Sequence, residues 1–113
     1  MNYPALPSHV GKRGSLAVPP NGERLGFTIT DEIRRVQSDL PSKIIVLERV
    51  LFDNGHIELR LGYYIIGKKP KVYGKWVWGQ YATFLPLCDF AAIVREAQRL
   101  GWFQKPAKTT IAA

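Results

Sequence analysis

The chain has 113 residues, and its 46% hydrophobic content allows one domain with a core that needs neither disulfides nor a structural metal. Its formal net charge of +7 and pI of about 9.8 favour polyanionic partners such as nucleic acid. One cysteine, Cys88, excludes an internal disulfide, and the two distant histidines give no metal-ligand spacing. Cys88 lies in an apolar run, which predicts a buried thiol. No run approaches the roughly 20 apolar residues of a membrane span, and no signal-peptide block precedes the domain, so we expect a cytoplasmic protein without cofactor or metal.

The first part of the chain is rich in proline and glycine. This composition predicts a flexible basic arm over residues 1–27, a single domain over 28–103 and a loose tail over 104–113. Thr30 followed by Asp31 and Glu32 resembles a helix N-terminus, where acids complement the helix dipole. We therefore predict a short helix over about 31–40.

The middle of the chain predicts a β-meander. Residues 43–52 are apolar and β-branched, Asp53-Asn54-Gly55 is a strong hairpin signal, and residues 56–66 alternate as a return strand. The alternation places Leu59 and Leu61 on one face and puts Arg60 and Tyr64 on the other, which we predict to be the outer face. A third extended segment follows over 72–85, and its two parities are both partly apolar, so the pattern leaves its buried face open.

A second helix is predicted over about 87–100, because Phe90, Ile93, Ala97 and Leu100 recur at helical spacing before Gly101, a favourable C-cap. The predicted fold class is α+β. A curved antiparallel meander of three to four strands is packed by this C-terminal helix, with the short helix before it.

The most informative tract runs from Leu59 to Cys88 and contains no Asp or Glu, while lysines alternate with aromatic rings. Lysines can follow phosphates while bases stack on rings, so the tract favours single-stranded nucleic acid as partner, DNA or RNA. The predicted nucleic-acid-binding residues are Arg60, Tyr64, Lys68, Lys69, Lys71, Tyr73, Lys75, Trp76 and Trp78.

The order of elements resembles the positive-cofactor-four family of single-stranded-DNA-binding transcription cofactors. The resemblance covers about residues 43–100 and is carried by the hairpin Phe52-Asp53-Asn54-Gly55, the strand Ile57-Glu58-Leu59-Arg60 leading into Tyr63 and Tyr64, the basic link Lys68 to Lys75, and Leu85-Pro86 before a helix that holds Phe90. The segment from Trp76 to Tyr81 is longer and more aromatic than the family's strand. The resemblance implies a homodimer that binds unpaired strands on its sheet, with Arg60, Tyr64 and the loop lysines near the nucleic acid.

Three alternatives remain open. A small metal-independent ribonuclease could recruit His56, Arg60, Tyr64, Lys75 and Tyr81. An interaction module or inhibitor of a larger nucleoprotein machine could use the segment 72–85 as an apolar contact surface. A helix over 31–40 could read duplex DNA through Arg34 and Arg35. No phosphate loop, dinucleotide fingerprint or nucleophile elbow is present, so the leading interpretation is a binding protein and not an enzyme.

Overall fold

The chain forms a curled antiparallel sheet with one helix packed on it. The computed structural model describes residues 3–104. Strands adjacent in the chain are adjacent in the sheet, in the order β1-β2-β3-β4-β5. The elements are β1 (Arg13–Val18), β2 (Glu23–Gln37), β3 (Leu40–Phe52), β4 (Ile57–Ile66), a 3-10 turn (Pro70–Val72), β5 (Trp76–Trp78) and α1 (Leu87–Arg99). The predicted α+β class is confirmed. Within residues 3–104, no helix has the length and apolarity needed to cross a membrane.

The β3–β4 hairpin forms where the sequence predicts it. Gly55 adopts a φ of +89°, a conformation that side chains with a Cβ rarely accept. The backbone N–H of His56 donates to Asn54 Oδ1 at 3.0 Å, which closes the turn. The two strands then pair in unbroken register from Leu51 with Ile57 to Lys43 with Ile65.

The predicted N-terminal helix over 31–40 is wrong, and the sheet has five strands instead of three to four. Residues 31–37 belong to the long strand β2, which a tight turn joins to β3. The register shifts between Ile29 and Asp31, as a β-bulge does. The shift turns Ile33 to the face opposite that of Ile29, so β2 lacks the continuous alternation by which a strand is recognised in sequence.

The helix α1 covers one face of the sheet, here called the helix face. Its Ile93 and Ala97 are buried against Ile33, Ile45 and Leu47 of β2 and β3. The helix begins after Pro86, which suits a first turn, and Gly101 follows its end with a φ of +77°. The predicted C-terminal helix is therefore confirmed.

A buried carboxylate fixes the start of α1 to the β2–β3 turn. Asp89 is fully buried and accepts hydrogen bonds from the Ser38 backbone N–H at 3.0 Å and from Arg35 Nε at 2.6 Å. The Ser38 N–H is the main cause that holds the pKa of Asp89 below its ordinary value, and the Arg35 guanidinium adds to it. The helix is therefore held by hydrogen bonds as well as by apolar contact.

The opposite face of the sheet, here called the arm face, is covered by the N-terminal segment. Phe27, Ile29, Val50 and Phe52 form a second buried cluster there. The segment before β1 crosses this face, since His9 Nδ1 lies 2.7 Å from Glu48 Oε2, while the Gly11 N–H, which donates to Ile29 O at 2.7 Å, continues the edge pairing of β1. Both faces of the central strands are therefore buried, which explains why β3 reads as a nearly continuous apolar run.

The division of the chain into arm, domain and tail stays a prediction. Residues 13–18 and 23–27, assigned to the arm by composition, form β1 and the beginning of β2. Glycines and prolines occur in these strands or beside them, and β1 is an edge strand, where such residues are tolerated. Nearly all of the predicted tail, residues 105–113, lies outside the described residues.

Candidate nucleic-acid interface

The loop between β4 and β5 presents four of the predicted lysines to solvent. The Gly67 N–H donates to Lys75 O at 2.8 Å and the Gly74 N–H donates to Gly67 O at 3.1 Å, so backbone contacts close the base of the loop. The exposed cations are Lys68, Lys69, Lys71 and Lys75. Within residues 3–104, none of them lies in an ion pair. The loop is thus a fixed support for four hydrated ammonium groups.

A groove adjoins this loop on the part of the helix face that α1 leaves open. Its volume is about 590 Å³, and its lining includes Lys68, Lys69, Tyr63, Tyr81 and Val77. The Tyr81 side chain is 82% exposed, and Tyr73, in the loop itself, is 75% exposed. Rings and cations therefore share one water-accessible surface, named here the basic groove.

A further cation stands at the end of the basic groove. Lys43 Nζ lies 5.1 Å from the centroid of the Tyr63 ring and donates a hydrogen bond to Phe84 O at 2.7 Å. Burial lowers the pKa of Lys43 from its ordinary value. Lys43 holds the segment after β5 against β3 and restricts the orientation of Tyr63 by a cation–π contact.

Tyr63 and Tyr81 are absent from the residues that the sequence assigns to the interface. Tyr63 shares its parity in β4 with the apolar residues Leu59 and Leu61, which predicts burial. The helix is too short to cover that half of the sheet, and the exposed fractions of Leu59 and Leu61 are 37% and 43%. The sequence signal that could have shown this exposure is the length of α1, because Gly101 ends the helix before it can cover the whole sheet.

Arg60 and Tyr64 lie on the arm face, away from the basic groove, and Trp78 packs against them although it also contributes to the lining of the groove. The alternation in β4 is as predicted, but the prediction that Tyr64 lies on the outer face is wrong, because its side chain is 3% exposed. Tyr64 packs edge-on against the Trp78 ring, with centroids 4.9 Å apart. The Arg60 guanidinium lies 5.5 Å from the same indole.

These three residues belong to a network around the buried carboxylate of Glu48. Arg60 Nε donates to Glu48 Oε1 at 2.7 Å, and His9 Nδ1 lies 2.7 Å from Glu48 Oε2. The Tyr64 hydroxyl is 3.2 Å from the second ring nitrogen, Nε2, of the same histidine. Burial raises the pKa of Tyr64, and the negative charge of Glu48 raises it further. The network ties the N-terminal segment to the sheet.

Trp76 is also engaged by the N-terminal segment. Its Nε1–H donates to Pro4 O at 2.8 Å, and the Tyr3 ring packs edge-on at 5.4 Å. Arg60, Tyr64 and Trp76 do not line the basic groove, whereas Trp78 does. As nucleic-acid contacts, these four residues stay predictions.

Other chemically active side chains do not converge. His56 is exposed and approaches Glu58 at 3.6 Å. The prediction that Cys88 is buried is wrong, since the thiol is exposed in the first turn of α1, 3.6 Å from Ser38 Oγ. Within the described part of the chain, no group of three or more His, Cys, Asp or Glu residues could hold a metal ion.

In the comparisons with known proteins, no family model, no curated protein and no solved structure matches this chain.

Proposed function

We propose that the protein binds single-stranded nucleic acid along the basic groove. The observation that supports this function is the meeting of Lys68 and Lys69 with the half-buried ring of Tyr63 and the exposed ring of Tyr81 on one surface. Lysines neutralise phosphates and release counterions, whereas rings stack on unpaired bases at about 1–3 kcal/mol per base. Lys71, Tyr73 and Lys75 are exposed in the same loop as Lys68 and Lys69.

The surface suits flexible strands better than a duplex. A recognition helix requires a basic face, but on α1 Arg99 is paired with Glu96 at 2.6 Å. The former candidates for duplex reading, Arg34 and Arg35, are on β2 and are paired with Glu32 and Asp89. The resemblance to the positive-cofactor-four family supports the same partner and a homodimer, and the lone cysteine supports a reducing compartment such as the cytoplasm.

Fluorescence anisotropy with labelled 20-nucleotide strands tests this function. We expect binding of poly-dT or poly-rU at 50 mM salt, with an affinity that falls at least tenfold at 200 mM salt because phosphate contacts release counterions. A duplex of the same length should bind more weakly, since its bases cannot stack on Tyr63 or Tyr81. Absence of binding at 50 mM salt contradicts the proposal, and equal affinity for duplex contradicts its stacking part.

A second candidate function is a metal-independent ribonuclease. The observation that favours it is the Glu48–His9–Tyr64 array, in which a buried carboxylate orients an imidazole, as in many acid–base sites. Arg60 beside it could neutralise a phosphate. His56, the histidine suggested by the sequence, is exposed, and its one ion-pair partner in the described part of the chain is Glu58. His9 is therefore the better candidate base.

Incubation with single-stranded RNA in EDTA distinguishes the two functions. Our proposal predicts no cleavage by the wild-type protein over hours at micromolar concentration. Cleavage that His9→Gln abolishes and that His56→Gln preserves would establish the ribonuclease instead. Thermal melting of both variants shows whether the loss reflects chemistry or unfolding.

A third candidate, an interaction module, is favoured by the apolar residues around the start of α1. Phe84 and Leu87 are 94% and 90% exposed, and Phe90 is 49% exposed. Exposed rings and leucines of this kind are typical of contact surfaces. Phe84 precedes α1, and Leu87 and Phe90 lie in its first turn, so the three apolar side chains cluster at the N-terminal end of the helix.

A further inference from the structure

The strand β4 has a free edge along its first half. It begins at Ile57, but its pairing with β5 extends only from Tyr64 to Ile66. Within residues 3–104, no strand pairs with Ile57–Leu61 on that side. An unpaired edge of five alternating residues is a template for another strand.

The direction of the backbone groups at this edge follows from the paired half of β4. The Gly79 N–H donates to Tyr63 O, and the Gly67 N–H donates to Lys75 O. Tyr63 and Gly67 therefore direct their peptide groups towards β5. Because strands repeat every two residues and no register shift occurs along β4 in its pairing with β3, Ile57, Leu59 and Leu61 direct theirs towards the free edge.

The residues of this edge are complementary to themselves. The sequence Ile57-Glu58-Leu59-Arg60-Leu61 reads apolar, acid, apolar, base, apolar. When two copies run antiparallel with Leu59 opposite Leu59, Ile57 faces Leu61 and Glu58 faces Arg60. Apolar side chains then lie opposite apolar side chains, and each acid lies opposite a base. Leu59 forms a hydrogen-bonded pair with its counterpart.

We propose that two copies of this chain pair through their β4 edges and form a continuous sheet across a two-fold axis at Leu59. On the helix face, the exposed Leu51, Leu59 and Leu61 of the two copies join into one apolar strip. On the arm face, Glu58 reaches Arg60 of the second copy. Arg60 uses Nε for Glu48, and its terminal amino groups make no hydrogen bond within residues 3–104.

The other free edge of the sheet lacks these features. The strand β1 contains Arg13, Gly14 and Ser15 and no acidic residue, so a second copy would place no carboxylate opposite its cation. The Arg13 guanidinium is already bidentate on Asp53, at 3.0 and 2.7 Å. Self-complementarity therefore selects β4 over β1.

The pairing has a consequence for the basic groove. Residues directly opposite each other in antiparallel strands point to the same face, so both helix faces lie on one side of the joined sheet. The two basic grooves then open on that side, on either side of the two-fold axis. The dimer does not depend on nucleic-acid binding, and a monomer that binds strands would contradict only this inference.

Light scattering after size-exclusion chromatography tests the interface. The wild-type mass should be twice the 12.8 kDa of one chain. Leu59→Asp should halve the observed mass at 50 µM, because two carboxylates would face each other across the axis. Leu100→Asp is the matched control away from the β4 edge, where the leucine is 45% exposed at the end of α1, and should leave the dimer intact.

A charge variant provides an independent measurement. Glu58 has an exposed side chain whose one ion pair within residues 3–104 is with His56, so Glu58→Arg should preserve the fold and place one arginine opposite each Arg60 of the pair. It should halve the mass, whereas Glu23→Arg, the same charge change at the β1–β2 turn, should not. A wild-type monomer, or a dimer that survives both Leu59→Asp and Glu58→Arg, overturns the proposal. Loss of the dimer by Leu87→Asp alone would place the interface at α1 and overturn it equally.

Discussion

Replacing Arg60 by methionine should lower the free energy of unfolding by about 3 kcal/mol. Glu48 is fully buried, and Arg60 supplies its strongest positive charge at 2.7 Å. Methionine keeps the aliphatic stem but leaves the carboxylate with His9 as its remaining partner. Removal of one member of a buried pair costs about 3–5 kcal/mol, and partial exposure of Arg60 places this case at the lower limit. Urea unfolding monitored by tryptophan fluorescence measures the change.

An exposed ion pair gives the matched control. Arg13 and Asp53 are joined at 2.7 Å, but their side chains are 56% and 52% exposed. Arg13→Met should therefore cost much less than Arg60→Met, because water screens an exposed ion pair. The double variant Arg60→Met with Glu48→Gln should recover part of the loss, because the buried charge is removed as well. If Arg60→Met and Arg13→Met cost the same, the network around Glu48 does not stabilise the fold.

The hairpin and the helix could be predicted because their signals are local. Asn54 and Gly55 specify the turn, and Pro86 and Gly101 mark the limits of α1. The strand β2 could not be predicted in the same way. Its bulge moves the odd-numbered positions from the arm face at Ile29 to the helix face at Ile33, and only pairing with β3 shows where this change occurs.

The sequence predicted the lysines of the candidate site but only some of its aromatic residues. Lysines beside Pro70 had to lie in an exposed loop, and they do. Tyr64 was assigned to the outer face because a strand was assumed to have one buried side. The opposite side is covered by the segment around His9, which lies 55 residues earlier in the chain, and no local pattern connects the two.

Simultaneous replacement of Lys68, Lys69 and Lys71 by alanine should weaken binding to single-stranded DNA about 100-fold at 100 mM salt. Each lost phosphate contact on a single strand removes about 0.7 from the slope of log affinity against log salt, so three should lower the slope by about 2. The three side chains are exposed and have no ion pair within residues 3–104, so the free energy of unfolding should change by less than about 0.5 kcal/mol. Anisotropy titrations at four salt concentrations give both the affinity and the slope.

The control for this variant separates local contacts from bulk charge. Replacing Lys12, Arg24 and Arg95 by alanine removes the same three charges from exposed positions outside the basic groove. If the lysines contact phosphates, the control should keep its affinity within a few-fold and its slope within about 1, because distant charges are screened beyond about 10 Å at this salt. Equal losses in the two variants would show that the protein attracts nucleic acid through net charge alone.

Tyr81→Ala in the wild-type background tests the contribution of the ring. Loss of one stacked base should weaken binding by about 1–3 kcal/mol without changing the slope of log affinity against log salt.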